Sequence, residues 1–251
     1  MIEDSIGIDP LSLIPLHIEC FFQKTGLSQA TGFCVERDGA VYLVTNWHVV
    51  SGQNSETGQP LSKDGATPDR LRVWHHSARL LGEWVPITYG LFGSDGMAWI
   101  EHPSGRDVDV VVIPLPKQST IKVYPLDLSL AQTDLVISPS EPVSIIGFPL
   151  GLAVDGKVPI WKTGHVASDI DVTVRGKPAF LIDATTTGGM SGSPVIARRI
   201  GAYKSSTASI AIGAGVTNRF MGIYSGRLRA EMDVGIVWRP TVLDEIFASI
   251  K

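Results

Sequence analysis

Ser191 lies in a run of small residues, Thr185-Thr186-Thr187-Gly188-Gly189-Met190-Ser191-Gly192-Ser193-Pro194. A serine hydroxyl is a weak nucleophile at its free pKa. It becomes useful on a tight turn, beside a general base and near backbone N–H groups that can hold an oxyanion. Gly189 and Gly192 flank the serine and permit backbone angles that other residues resist. Alone, the run also has the composition of an ordinary Gly/Ser/Thr loop. Two other segments carry the partners that a nucleophilic serine needs. Val41 to Val50 alternates apolar and polar residues like a half-buried strand and delivers His48 at its end. Asp107 to Pro114 is a β-branched run typical of a fully buried strand, with Asp107 and Asp109 at its mouth. A histidine so placed takes up the hydroxyl proton and returns it to a leaving group. An aspartate orients the imidazole and stabilises its cationic form.

The chain order His48, Asp109, Ser191 is that of chymotrypsin-type triads, not of subtilisins or α/β-hydrolases. Thr45-Asn46-Trp47-His48-Val49-Val50 resembles the histidine segment of trypsin-like peptidases. Asp109-Val110-Val111-Val112-Ile113 resembles their aspartate strand, and Gly189 to Pro194 is similar to their G-[ND]-S-G-[GS]-P. Ile146-Gly147-Phe148-Pro149-Leu150-Gly151 resembles the I-G-x-P-x-G of HtrA-type proteases. Thr186 to Pro194 is similar to the T-T-G-G-N-S-G-S-P of bacterial glutamyl endopeptidases, with Met190 in place of Asn. The resemblance covers about residues 15–240. It implies a serine endopeptidase acting through an acyl-enzyme, with Ser191 as nucleophile, His48 as general base and Asp109 as its orienting carboxylate. Asp107, two residues earlier and so on the same strand face, is the rival; the family pattern places the aspartate directly before the apolar run.

The same resemblance assigns the oxyanion hole to the N–H groups of Gly189 and Ser191. It lines the pocket for the side chain before the scissile bond with Thr185, Thr186, Tyr224, Ser225 and Gly226. Thr185 stands where trypsin has an aspartate, so strict basic specificity is not expected. Tyr224 stands where glutamyl endopeptidases have a histidine, and the expected preference is a small or medium uncharged residue. Met190 replaces the aspartate by which chymotrypsin-like zymogens pair with a freed N-terminus, so that activation route is not expected. Two other readings fit the same residues. One is a catalytically silent or latent trypsin-like fold acting as a protein-binding module. The other is an esterase, which the chain order and the lack of a G-x-S-x-G elbow disfavour.

These residues need a scaffold of strands. Short β-rich runs near 16–22, 30–36, 40–46, 70–76, 84–88, 96–101 and 108–113 precede a Pro-rich connector, roughly 114–140. A second set follows near 142–147, 158–168, 170–175, 178–183, 193–197, 209–216, 220–225 and 234–239. Many short strands without long intervening helices predict an all-β chain. The expectation is two six-stranded antiparallel β-barrels of the chymotrypsin-like kind: residues 1–120 carrying His48 and Asp109, and 121–251 carrying Ser191. Apolar residues at 242, 243, 246, 247 and 250 predict a short C-terminal helix packed on the second barrel, with Thr241 and Asp244 as a capping pair. Segments 51–69 and 198–214 read as long loops.

Composition narrows the function further. A net charge of −4 gives no electrostatic case for nucleic acid. No apolar run approaches the ~18 residues of a membrane span. No cationic segment followed by an apolar core opens the chain, so a cytoplasmic location is expected. Cys20 and Cys34 fall in adjacent predicted strands and are expected to be reduced, buried thiols. His17, His75, His76, His102 and His165 lack motif surroundings and are expected to be structural. The spacing of His75-His76 with His102 matches no known metal site, and neither metal nor cofactor is expected. The expected partners are a protein or peptide substrate and, for a cytoplasmic protease needing restraint, a regulatory or activating protein.

Overall fold

The computed structural model describes residues 7–94, 96–207, 209–229 and 231–250. In the first half, β1 (Pro15–Phe22), β2 (Thr25–Arg37) and β3 (Ala40–Thr45) lead into the short helix α1 (Trp47–Ser51). They are followed by β4 (Arg70–Ser77), β5 (Trp84–Gly90), the small β6 (Phe92–Gly93), β7 (Gly96–Met97) and β8 (Ile100–Glu101), then β9 (Val111–Leu115) and β10 (Ile121–Lys122). The second half contains β11 (Pro142–Gly147), β12 (Ile160–Val166), β13 (Ala179–Asp183), β14 (Pro194–Lys204), β15 (Ile210–Arg227) and β16 (Val234–Trp238). It ends in α2 (Thr241–Ser249). No helix among the described residues is long and apolar enough to cross a membrane.

The second half closes into a six-stranded barrel in the order β11-β12-β13-β16-β15-β14. The first half departs from the expected six-stranded barrel. Its ladder is an eight-stranded sheet in the order β10-β4-β1-β2-β3-β9-β8, with β5 branching from β4, and its hydrogen bonds do not close. The extra pairing comes from β5, whose residues 84–90 run antiparallel to β4 along its whole length.

Three apolar clusters form among the described residues. One lies within the first half, around Ile18, Leu43, Val73 and Val111. Another lies within the barrel, around Ile145, Phe180, Val195 and Tyr224. The third contains residues of both halves: Phe33, Val35, Val44 and Val112 from the first, Ile196, Phe220 and Trp238 from the second. Val242, Leu243, Ile246 and Phe247 of α2 belong to this shared cluster. The helix therefore packs on both halves and not on the barrel alone. Phe247 meets the Tyr42 ring edge-on at 5.1 Å, and Glu245 Oε2 lies 2.7 Å from His102 Nε2. Apolar spacing gives the helix its place, but the expected cap is absent: the residue before it is Pro240, with no side-chain cap bond.

Two segments differ from their sequence reading. The loop read over 198–214 is largely strand, because β14 runs on to Lys204 and β15 starts at Ile210, paired through Ala202 and Ile212, in line with the strand also expected near 209–216. Residues 170–175 are not a strand. Val174 and Lys177 pair across a two-residue turn at Arg175 (φ +54°) and Gly176 (φ +77°). Cys20 and Cys34 are free and buried, but Cys20 faces Ser28 in the ladder, so Cys34 lies six residues further along β2. Burial pushes the two thiols up to about 11 and about 12.

Candidate active site

His48 reaches the site because β3 ends in a single helical turn, α1, closed by Gly52 in the left-handed conformation. Asp109 lies just before β9, which pairs with β3 in the register Thr45↔Val111. Adjacent strands thus bring the imidazole and carboxylate together. The His48 backbone N–H donates to Asp109 Oδ1 at 2.8 Å, and His48 Nδ1 lies 2.7 Å from Oδ2. Asn46, buried before α1, donates through Nδ2 to the Asp109 carbonyl at 2.7 Å. An acceptor at Nδ1 keeps a proton there and leaves Nε2 free to accept. Nε2 lies 3.0 Å from Ser191 Oγ.

Asp107 does not compete. It ends a 3-10 turn (Gly105–Asp107), is largely exposed and lies 3.6 Å from Lys177. Asp109 is 1% exposed. The expectation that both lie on one strand face fails because the strand begins only at Val111.

Burial disfavours the charged form of His48, but the Asp109 charge and hydrogen bond outweigh it and raise the His48 pKa above its usual value. Ser225, read from the sequence only as a pocket residue, joins the cluster twice. Its hydroxyl donates to Asp109 Oδ2, and its carbonyl lies 2.9 Å from Ser191 Oγ. β15 carries it there through a register shift between Tyr224 and Gly226.

The loop before Ser191 is fixed by close packing. Gly189 has φ +92°, and a side chain on it would fall 2.2 Å from the Phe148 carbonyl oxygen. Gly192 has φ +83°, and a side chain would fall 2.1 Å from the Thr31 carbonyl oxygen. Only glycine suits either position. Leu150 N–H donates to the Gly188 carbonyl at 2.6 Å. All peptide bonds here are trans, so the Gly189 N–H points opposite that carbonyl, away from the Phe148–Gly151 turn. Neither this N–H nor that of Ser191 has a protein acceptor among the described residues. Thr31 ties the loop to the first half. Its N–H donates to the Ser191 carbonyl (2.8 Å), its hydroxyl donates to the Gly189 carbonyl (2.8 Å), and the same hydroxyl accepts from Phe148 N–H (3.1 Å). Met190 is fully buried in the barrel cluster.

Two cavities meet at His48 and Ser191. One, about 310 Å³, is lined by Ser225, Gly226, Arg227 and Arg175; the other, about 410 Å³, by Leu27, Gln29, Gly188 and Gly189. Of the five predicted pocket residues, Ser225 and Gly226 line the first. Thr185 is exposed and lines neither cavity. Thr186 and Tyr224 are buried and hydrogen-bonded to each other, with Tyr224 packed against Gly235 inside the barrel. Both are buried there, and Tyr224 belongs to the apolar cluster within the barrel. No group of three or more His, Cys, Asp or Glu side chains among the described residues is arranged to hold a metal.

A family model described as a trypsin-like peptidase domain matches residues 30–202. No curated protein matches the sequence. Among solved structures, the chain is similar to the Rv3671c protease from M. tuberculosis in its active form. The two share 16% identity and a TM-score of 0.52 over 96% of this chain and 82% of that one. It is also similar to the serine endoprotease from Yersinia pestis, at 13% identity and a TM-score of 0.53, covering 97% of this chain and 66% of the other.

Proposed function

The chain belongs to the family of trypsin-like peptidase domains, which makes it a serine endopeptidase with protein or peptide substrates, and from that premise we propose that Asp109, His48 and Ser191 are its catalytic triad. The observation that carries this reading is the unbroken chain of contacts from Asp109 Oδ2 through the imidazole to Ser191 Oγ, 2.7 Å and 3.0 Å long. His48 Nε2 takes the hydroxyl proton as Oγ attacks the scissile carbonyl. The developing oxyanion is held by the N–H groups of Gly189 and Ser191, which have no protein acceptor among the described residues. His48 then donates its proton to the leaving amine. Water, deprotonated by the same nitrogen, hydrolyses the acyl-enzyme on Ser191. Apart from the attacking water, every step uses groups of this chain.

This reading divides the chain into a half carrying His48 and Asp109 (1–120) and a barrel carrying Ser191 (121–251), as two-barrel peptidases do. The site is then assembled by the packing that the shared apolar cluster represents. A cytoplasmic setting belongs to the same proposal. So does a regulatory protein partner, since such an enzyme needs restraint. The test is labelling by a fluorophosphonate probe beside a Ser191→Ala control. Labelling of the wild type alone supports an assembled triad and oxyanion hole. Absence of labelling in both proteins would overturn the reading in favour of a silent binding module.

A further inference from the structure

The cavity of about 310 Å³ beside Ser191 carries an uneven set of charges. Arg175, Lys177 and Arg227 line it, against Glu56 and Asp109. Asp109 is committed to His48 and Ser225. Lys177 faces Asp107 at 3.6 Å, outside the lining. Glu56 Oε1 lies 3.2 Å from Arg175 Nη1, a contact reaching from the segment after α1 to the turn after β12. Arg227 is exposed and has no carboxylate within ion-pair distance among the described residues. The surplus in the cleft is therefore cationic.

The placement of Arg175 points the same way. It occupies the first central position of a two-residue turn whose central residues both have positive φ, with Val174 and Lys177 hydrogen-bonded in both directions. Such turns favour Asn-Gly or Asp-Gly, because few residues enter the left-handed region readily. Turn chemistry alone gives no reason for an arginine here. The cavity does, because a tight hairpin holds the base of the guanidinium side chain at a fixed place on its rim. Arg227 lines the same cavity, two residues beyond Ser225 on β15 and about 7 Å along the strand.

We propose that this cavity selects substrates carrying an acidic side chain on the part of the peptide that lies against Ser225–Arg227, with Arg227 and Arg175 as the groups that read the carboxylate. The inference rests on the serine-endopeptidase reading of the same site and goes beyond it by naming the substrate class. It replaces the small or medium uncharged preference expected from sequence with a determinant outside the Thr186–Tyr224 pair. Planar guanidinium groups suit a carboxylate through paired N–H donors. Glu56 marks the place an incoming carboxylate would take on Arg175, so substrate and Glu56 compete for it.

The test compares fluorogenic peptides that differ only by Glu against Gln at each of four positions on either side of the cleaved bond. On one side of the bond, Glu is expected to raise kcat/KM about 10-fold at low salt, a modest factor because the arginines are partly solvated. The ratio should fall toward one in ~1 M NaCl, where the screening length is about 3 Å. Arg227→Gln should reduce the ratio below about 3-fold, and Glu56→Gln should increase it. A ratio near one at every position overturns the proposal, as does a preference untouched by Arg227→Gln and Arg175→Gln together. Fluorophosphonate labelling of each protein separates the two readings. A labelled enzyme with no acidic preference defeats this proposal and leaves the triad standing. If the wild type is not labelled, the same peptides are titrated against the Ser191→Ala protein by fluorescence anisotropy. Tighter binding of the Glu peptides upholds the acidic subsite, and equal binding overturns it.

Discussion

Ser191 Oγ has one proton and two acceptors within reach, His48 Nε2 at 3.0 Å and the Ser225 carbonyl at 2.9 Å. When His48 is neutral, the hydroxyl can donate to Nε2, the arrangement from which the proposed mechanism starts. When His48 is protonated, Nε2 becomes a donor and the hydroxyl turns to Ser225. Protonation thus leaves no group unsatisfied but removes the base. Burial opposes the charged imidazole, yet Asp109 outweighs it and the His48 pKa is raised. The rising limb of kcat/KM against pH is therefore expected above pH 6.5. The sign for stability is opposite. The contribution of the His48–Asp109 pair is complete below the unfolded pKa and is lost as pH rises through the folded one, so the working form gives it up. Asp109→Asn removes the charge and leaves burial, so the limb should move to lower pH while kcat falls about 10⁴-fold. A pH–rate profile of both proteins checks this; an unmoved limb would show that Asp109 does not govern His48. The sequence singled out Ser191, His48 and Asp109 because each sits in a local motif, and the fold brings their side chains together. The double contact of Ser225 was not legible there, since it depends on a register shift between β15 and β16.

At the scale of elements, the site depends on a junction where β2, the Phe148–Gly151 turn and the loop before Ser191 meet at Thr31. Thr31 is fully buried and satisfies groups on both of the other segments. Thr31→Val keeps the shape but leaves Phe148 N–H and the Gly189 carbonyl without their partner. Each orphaned buried group costs about 1–3 kcal/mol, so a lower melting temperature is expected. In the proposed mechanism the Gly189 peptide supplies an oxyanion donor, so kcat should fall about 10- to 100-fold while KM moves little. Thr31→Ser should restore both. A variant that lost stability but kept wild-type kcat would show that Thr31 only holds the fold together. The sequence disclosed the strands flanking this junction and marked Ile146–Gly151 only by its resemblance to HtrA-type proteases, but not that one hydroxyl joins these segments. Composition misled elsewhere. The Ser/Thr/Gly/Ala-rich stretch 198–214 reads as loop, yet paired strands impose extension on it. The valines near 172–174 read as strand, yet Arg175-Gly176 turns the chain back.

For the whole molecule, the sequence predicted all-β architecture and a C-terminal helix. It did not predict the open first sheet or the apolar cluster shared by both halves, because those arise from contacts between residues distant in the chain. Three buried histidines, His75, His76 and His17, show how such contacts set a global property. His75 is buried, with Nε2 3.0 Å from the Tyr89 hydroxyl and Nδ1 without a partner. Burial, aided by neighbouring His76, lowers its pKa to about 4; burial also lowers that of His76 and of His17 beside Lys157. A histidine whose folded pKa is depressed contributes stability that is complete above the unfolded value near 6.5 and is lost as pH falls toward the folded one. For His75 that window runs from about pH 6.5 down to about 4, and the difference corresponds to roughly 3 kcal/mol. Urea unfolding between pH 7.5 and pH 4.5 should therefore show stability falling steeply on the acid side. His75→Phe removes the titrating group while keeping an aromatic ring between β4 and β5, so its curve should be flatter over that interval whatever its absolute stability. Parallel curves for wild type and variant would place the acid sensitivity elsewhere, in the buried surroundings of His17 and His76.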